Sequence, residues 1–181
     1  MHQHRSVFAA LAALALTVPA AAMAAGDVQT AWRQHELKFH YFGFTSDYSC
    51  DGAKTKIKQL LEHLGAKDIE VRRRGCIQGP GQVEPFVNLD LKFSTLAETG
   101  SDAADAVPAQ WQPVAMGYNR PRNFQFGDCE LIEQFRDQVL PAFSHRIIDQ
   151  SLSCVPGQSR QWSLTVEVPR LVAEPLADNG R

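Results

Sequence analysis

The sequence lacks the short motifs that mark most catalytic and redox sites. It contains no Cys-x-x-Cys, so a cysteine that exchanges disulfides would have no resolving partner beside it. It also contains no Gly-x-Ser-x-Gly, Ser-x-x-Lys, His-Glu-x-x-His or glycine-rich phosphate loop. Catalytic groups also assemble from positions that are distant in the sequence, so the absence of these motifs does not exclude every class of enzyme. The sequence therefore nominates no catalytic residue, no metal ligand set and no cofactor.

Long hydrophobic runs are missing except at the amino terminus. Residues 7–22 are apolar apart from one threonine and one proline, and an Ala-Met-Ala sequence ends the run. The run is too short and too interrupted for a good membrane span, but it has the order of a secretory signal peptide. We predict a signal peptide over residues 1–25, cleaved after Ala24 or Ala25, and no membrane span in the mature chain.

An excess of positive charge is also missing. Removal of the leader takes away Arg5, which leaves 17 basic and 20 acidic residues and a net charge of −3. Nucleic acids and anionic membranes attract proteins of the opposite sign, so we predict neither as a partner. The remaining chain of about 156 residues is long enough for one domain with its own core. We assign that domain to residues 26–170 and a polar tail to residues 171–181.

Four cysteines are present, and all of them follow the predicted leader. An even number of cysteines in an exported chain predicts disulfides and a periplasmic or secreted protein. A helix of about 14 residues rises roughly 21 Å, and a returning strand of about 7 residues covers roughly 23 Å. A cysteine at the helix start and one at the strand end therefore finish at the same end. This geometry favours the pairs Cys50–Cys76 and Cys129–Cys154.

The two cysteine pairs frame the same pattern, a helix followed by a turn and a strand. In the first copy the apolar positions keep to one stripe of a helix; they are Ala53, Ile57, Leu60, Leu61 and Leu64. A shift of 79 residues places four apolar positions of the second copy on the same stripe. Each copy also has a strand before its helix and another after its second cysteine, and we place the repeats at about 35–96 and 111–170.

The order strand, helix, strand, strand, written twice, predicts an α+β fold. We expect a two-layer sandwich of ferredoxin-like character, with both helices on one face of a mainly antiparallel sheet. The clearest strand alternates apolar Val87, Leu89, Leu91 and Phe93 with polar residues, which predicts a sheet with one solvated face. Residues 97–110 have little apolar bulk, and we expect a surface loop there between the copies.

Residues 48–71 also resemble a known family. The resemblance is carried by residues at matching spacing, namely Cys50, Ile57, Leu60, Leu61, Leu64, Gly65, Ile69 and Val71. They are similar to the opening of a heavy-metal-associated domain, a small ferredoxin-like copper carrier. That family holds Cu(I) between two cysteine thiolates, whereas the second position is Ala53 here. The resemblance therefore implies a ferredoxin-like fold and no metal site.

Two hypotheses for function follow from these patterns. The favoured one is an exported, non-catalytic module that binds a protein or an envelope component. Its candidate surface combines the aromatic strand with the arginine strand, through Phe39, His40, Tyr41, Arg72 and Arg74. The arginines have a second interpretation, as charges that keep an exposed edge strand from pairing with other chains. The alternative hypothesis is a small periplasmic enzyme or ligand-binding protein with a pocket between the copies, in which His40 would take part.

Overall fold

The structure is a computed structural model, and it describes residues 27–44, 46–75, 82–100, 103–155 and 161–172. The predicted signal peptide, Cys76 and most of the predicted tail lie outside these residues. No helix in the described ranges is long and apolar enough to cross a membrane.

The described chain forms an α+β structure with two helices and a six-stranded antiparallel sheet. The longer elements are β1 (Asp27–Phe42), α1 (Cys50–His63), β3 (Lys67–Arg74), β5 (Phe86–Glu98), β6 (Val107–Gly117), α2 (Cys129–Gln138), β7 (Arg146–Ser151) and β8 (Ser163–Leu171). Two short strands, β2 (Tyr48–Ser49) and β4 (Val83–Glu84), form a separate two-stranded ladder. Short 3₁₀ turns lie on either side of α2, at Phe126–Asp128 and Leu140–Ala142.

The sheet has the strand order β3-β5-β1-β6-β8-β7. Three strands of the first half and three of the second half thus lie side by side, with β1 and β6 meeting in the middle. These two strands pair only through residues 27–30 and 107–110. Beyond this short overlap each of them runs on with an unpaired edge, and that edge faces a helix of the other half.

Local sequence explains where the helices begin and end. Ser49 caps α1, because its hydroxyl accepts a hydrogen bond from the Gly52 backbone N–H at 3.1 Å. Gly65 follows α1 at φ +88°, a conformation that glycine adopts without steric cost. The helix α2 ends at Gln138, three residues before Pro141, whose ring cannot continue the helical hydrogen bonds.

One core cluster takes side chains from both helices and from the inward positions of the sheet. Ile57, Leu60 and Leu61 of α1 are fully buried, as are Leu131, Ile132 and Phe135 of α2. Helix periodicity identified the α1 positions in advance, so the sequence pattern and the packing agree.

The predicted loop at 97–110 is wrong at both of its ends. The strand β5 continues to Glu98, and β6 already begins at Val107. The β6 segment 107–110 is a strand because it pairs with 27–30, about 80 residues earlier in the chain. Such a long-range partner leaves no local signal in sequence periodicity.

The predicted disulfide Cys129–Cys154 is present, with the two Cα atoms 5.6 Å apart. It ties the start of α2 to the chain that follows β7. Cys50 is disulfide-bonded as well. Its predicted partner, Cys76, lies outside the described residues.

Candidate functional site

The face of the first half that points away from the helices carries an ordered array of charge, which we call the open face. Its cross-strand rows, read across β3, β5 and β1, are Glu70–Lys92–Glu36, Arg72–Asp90–Lys38 and Arg74–Asn88–His40. Opposite charges alternate along the first two rows and also between them. The third row holds no carboxylate, so the array becomes more positive towards Arg74.

Ion pairs on the open face compensate part of this charge. Glu70 pairs with Arg72 at 2.7 Å, and a carboxylate oxygen of Asp90 lies 3.7 Å from the guanidinium of Arg74. All four side chains are about half exposed or more, so each pair contributes at most about 1 kcal/mol to stability. Arg73 points the other way and pairs with Asp51 at 3.1 Å. Arg72 and Arg74 are therefore accessible, but neither is a free cation.

An exposed aromatic cluster, which we call the aromatic corner, closes one end of the open face. Phe42 continues the β1 row of outward positions, and its ring lies 4.6 Å from that of Phe86 and 4.2 Å from that of Phe44, centroid to centroid. Phe44 is 70% exposed and Phe86 is 59% exposed. Contiguous exposed rings of this size are uncommon on a surface that contacts only water.

Two residues of the predicted surface belong to the core instead. Phe39 and Tyr41 are buried, at 0% and 2% exposure, because odd-numbered positions of β1 point towards the helices. The prediction is wrong for these two residues, since successive strand residues face opposite sides of a sheet. His40 is exposed as predicted, and its Nδ1 lies 2.6 Å from the Asn88 Oδ1. The aromatic character of the site comes from Phe42, Phe44 and Phe86.

A buried polar cluster joins the two halves at the start of α2. Asp128 is 3% exposed, and its Oδ2 accepts hydrogen bonds from the Lys56 Nζ and from the Gln125 backbone N–H, both at 2.7 Å. Its Oδ1 accepts a hydrogen bond from the Tyr48 hydroxyl. Both carboxylate oxygens are thus occupied by protein donors, as a buried charge requires. The arrangement serves as a structural clamp between α1 and α2.

A second buried carboxylate, Glu130, lies beside this clamp. It accepts a hydrogen bond from the Phe44 backbone N–H at 3.0 Å, and the Tyr41 hydroxyl approaches it at 3.5 Å. Burial raises the pKa of Tyr41 and of Tyr48, and the neighbouring carboxylates raise both further. Both phenols therefore stay protonated well into the alkaline range, and Glu130 fixes the chain that carries the aromatic corner.

Two glutamines of α2 cover the unpaired edge of β1; we call them the glutamine latch. Gln134 accepts from the Phe42 N–H at 2.9 Å and donates to the Phe42 C=O at 2.8 Å. Gln138, one turn later, makes the same two hydrogen bonds to His40, at 2.9 Å and 2.8 Å. The amide side chains thus replace the neighbouring strand that β1 lacks here.

The histidines of the described chain are held by hydrogen bonds within the protein. An imidazole nitrogen of His35 lies 2.9 Å from the Thr95 hydroxyl, and burial lowers the pKa of His35. The His63 Nε2 lies 3.0 Å from the Ala115 carbonyl oxygen, and the His145 Nδ1 lies 2.9 Å from that of Phe143. Among the described residues no three His, Cys, Asp or Glu side chains converge to hold a metal ion.

The outward face of the second half has a different character. Its rows, read across β6, β8 and β7, are Gly117–Ser163–Ser151, Ala115–Thr165–Asp149 and Pro113–Glu167–Arg146. Small and uncharged side chains prevail, and they line a depression of about 570 Å³. Tyr118, which is 57% exposed, stacks on Phe126 at 4.6 Å.

Sequence reasoning missed the clamp and the latch. The spacing of four between Gln134 and Gln138 places both on one face of α2, which is a visible signal. Nothing local indicates that this face meets β1, about 95 residues earlier. Comparison of the chain with family models, with curated proteins and with solved structures finds no match.

Proposed function

We propose that this chain is an exported, non-catalytic binding module that recognises an acidic protein surface in the cell envelope. The observation that carries the proposal is the aromatic corner, whose exposed rings adjoin the carboxylate-free row of the open face. Rigid aromatic side chains next to arginine are the residues that most often dominate protein interfaces. The polar rows around them would form the rim of the contact.

Hydrogen bonds hold the backbone that carries the aromatic corner, which favours a surface that is preformed for binding. Glu130 holds the Phe44 backbone, and the glutamine latch holds Phe42, so two of the three rings are attached to fixed backbone. A preorganised surface loses less conformational entropy on binding than a mobile one. The partner is expected to offer an apolar anchor for the rings and carboxylates for Arg74 and Lys38.

An oxidising compartment is part of the same proposal. The Cys129–Cys154 disulfide persists where thiols are not kept reduced, which agrees with the signal peptide expected over residues 1–25. We further propose that the two halves derive from one duplicated unit of ferredoxin-like character. The same order of the longer elements, with β1 and β6 as the two central strands, supports this origin.

The binding proposal is tested by capture from envelope extract with matched variants. The double variant Phe44→Ala/Phe86→Ala and the charge reversal Arg74→Glu are each expected to lose the captured partner. The variant Tyr118→Ala removes an equally exposed ring from the second half and is expected to retain it. Capture that survives Phe44→Ala/Phe86→Ala, or that is lost equally with Tyr118→Ala, would contradict the proposed surface.

A further inference from the structure

A groove at the carboxyl end of α1 is lined by two arginines that form no ion pair within the described part of the chain. It has a volume of about 500 Å³ and lies between α1 and the unpaired edge of β6. Arg120, Arg170 and His63 line it, together with the backbone around Ala115. The groove lies where α1 of the first half meets the second half, and it does not include the open face.

Arg120 and Arg170 are two of the four arginines in the described chain, with Arg33 and Arg122, that form no ion pair with a described carboxylate. Five arginines form ion pairs with carboxylates, namely Arg72, Arg73, Arg74, Arg136 and Arg146. Neither Arg120 nor Arg170 forms one among the described residues. The one acidic side chain in the wall of the groove, Glu62, lies 3.7 Å from the ammonium group of Lys58.

Arg170 is the more unusual of the two. Its Nη2 donates a hydrogen bond to the His63 carbonyl oxygen, and its Nε is buried with no acceptor in the described structure. The guanidinium lies over Gly65, where a Cβ would come within 3.6 Å of the Arg170 Cζ. This hydrogen bond to the end of α1 uses one of the five N–H donors of the Arg170 guanidinium. A half-buried cation with unused donors is costly unless an acceptor reaches it.

We propose that the groove binds an oxyanion, a carboxylate or a phosphate, between the guanidinium groups of Arg120 and Arg170. Guanidinium groups present paired N–H donors that match the oxygens of these anions. Arg120 is exposed on one wall, whereas Arg170 is held at the end of α1 by its hydrogen bond to the His63 carbonyl oxygen.

The site is tested by titration of the ¹⁵N-labelled oxidised protein with sodium phosphate, and separately with sodium acetate. Sodium chloride at the same ionic strength serves as the reference. Saturable shifts of the Gly65 and Ala115 amides are expected with an oxyanion and not with chloride. The anion that binds more tightly identifies the natural chemistry, and equal binding still supports an oxyanion site.

Two variants assign the binding to the groove. Arg120→Gln removes one guanidinium and is expected to weaken binding about tenfold, the effect of one charge-assisted hydrogen bond. Arg122→Gln removes a nearby exposed arginine outside the groove and is expected to change the affinity less than twofold. Chemical shift changes that grow linearly with anion concentration, or that chloride reproduces, would overturn the proposal. An equal reduction of these changes in both variants would also overturn it. Amide resonances outside the groove that keep their positions in the Arg120→Gln spectrum show that this variant is folded.

Discussion

The two halves of the molecule have the same order of longer elements but differ in surface chemistry. Of the nine outward positions in the rows of the first half, seven are charged, whereas the second half has three charged positions in its nine. The first half also ends in exposed aromatic rings. The two halves thus share the order of their longer elements, while their outward faces differ in charge and in exposed aromatic rings.

The unpaired edges of the central strands differ in the same way. The edge of β1 is covered by four hydrogen bonds from the glutamine latch. At the edge of β6, the imidazole of His63 contacts the Ala115 carbonyl oxygen. The same edge carries Pro113, which has no backbone N–H to donate to another strand. Hydrogen bonds from α2 therefore cover the edge of β1 next to the aromatic corner, whereas a groove remains at the edge of β6.

Loss of the disulfide in the second half is expected to have the largest effect on stability. The Cys129→Ala/Cys154→Ala variant opens a loop of 25 residues, which the chain-entropy model values at about 3.5 kcal/mol. Urea denaturation of the oxidised proteins measures the difference. Cys50→Ala/Cys76→Ala is the matched variant, and a comparable loss would support the predicted first-half bridge. An unchanged free energy of unfolding in either variant would show that its disulfide does not stabilise the fold.

The Asp128→Ala variant is expected to lower the free energy of unfolding by about 2 to 3 kcal/mol. It leaves the ammonium group of Lys56 and the hydroxyl of Tyr48 without their buried acceptor. Asp90→Ala, which breaks the exposed pair with Arg74, is the control and is expected to cost under about 0.5 kcal/mol. Equal losses in urea denaturation would show that the clamp does not join the halves.

Alkaline pH is expected to weaken the same junction. The pKa values of Tyr41 and Tyr48 are raised in the folded protein, so their contribution to stability is complete below the ordinary phenol pKa of 10.0. Above that pH the unfolded chain loses these protons first, and stability should fall by about 1 kcal/mol per tyrosine near pH 11. Urea denaturation from pH 8 to 11 measures the fall. Tyr48→Phe should reduce it, and an unchanged slope in that variant would contradict the assignment.

The glutamine latch is expected to have the smallest effect, about 1 kcal/mol for the Gln134→Met/Gln138→Met variant. Methionine keeps the volume and loses the four hydrogen bonds, which water replaces in part. Hydrogen exchange at the His40 and Phe42 amides should accelerate, while exchange at the β5 amides stays unchanged. Unaltered exchange at His40 and Phe42 would show that the latch does not protect the edge.

Local patterns predicted much of the fold. The apolar stripe of α1, the alternation in β5 and the Cys129–Cys154 pair were all visible in the sequence. The lengths of β1 and β6 and the latch were not, because they depend on pairings between residues 77 to 98 positions apart. Of the five residues predicted for the candidate surface, His40, Arg72 and Arg74 are exposed, whereas strand parity turns Phe39 and Tyr41 inward.

The central claim is that the first half, and not the second, presents the binding surface. A photo-reactive phenylalanine analogue at position 86 tests it most directly, with the same analogue at position 118 as the control, because the two native rings are equally exposed. After irradiation in the producing cells, a defined protein adduct is expected from position 86 alone, and Arg74→Glu should abolish it. An adduct from position 118 alone, equal adducts from both positions, or none from position 86 would contradict the claim.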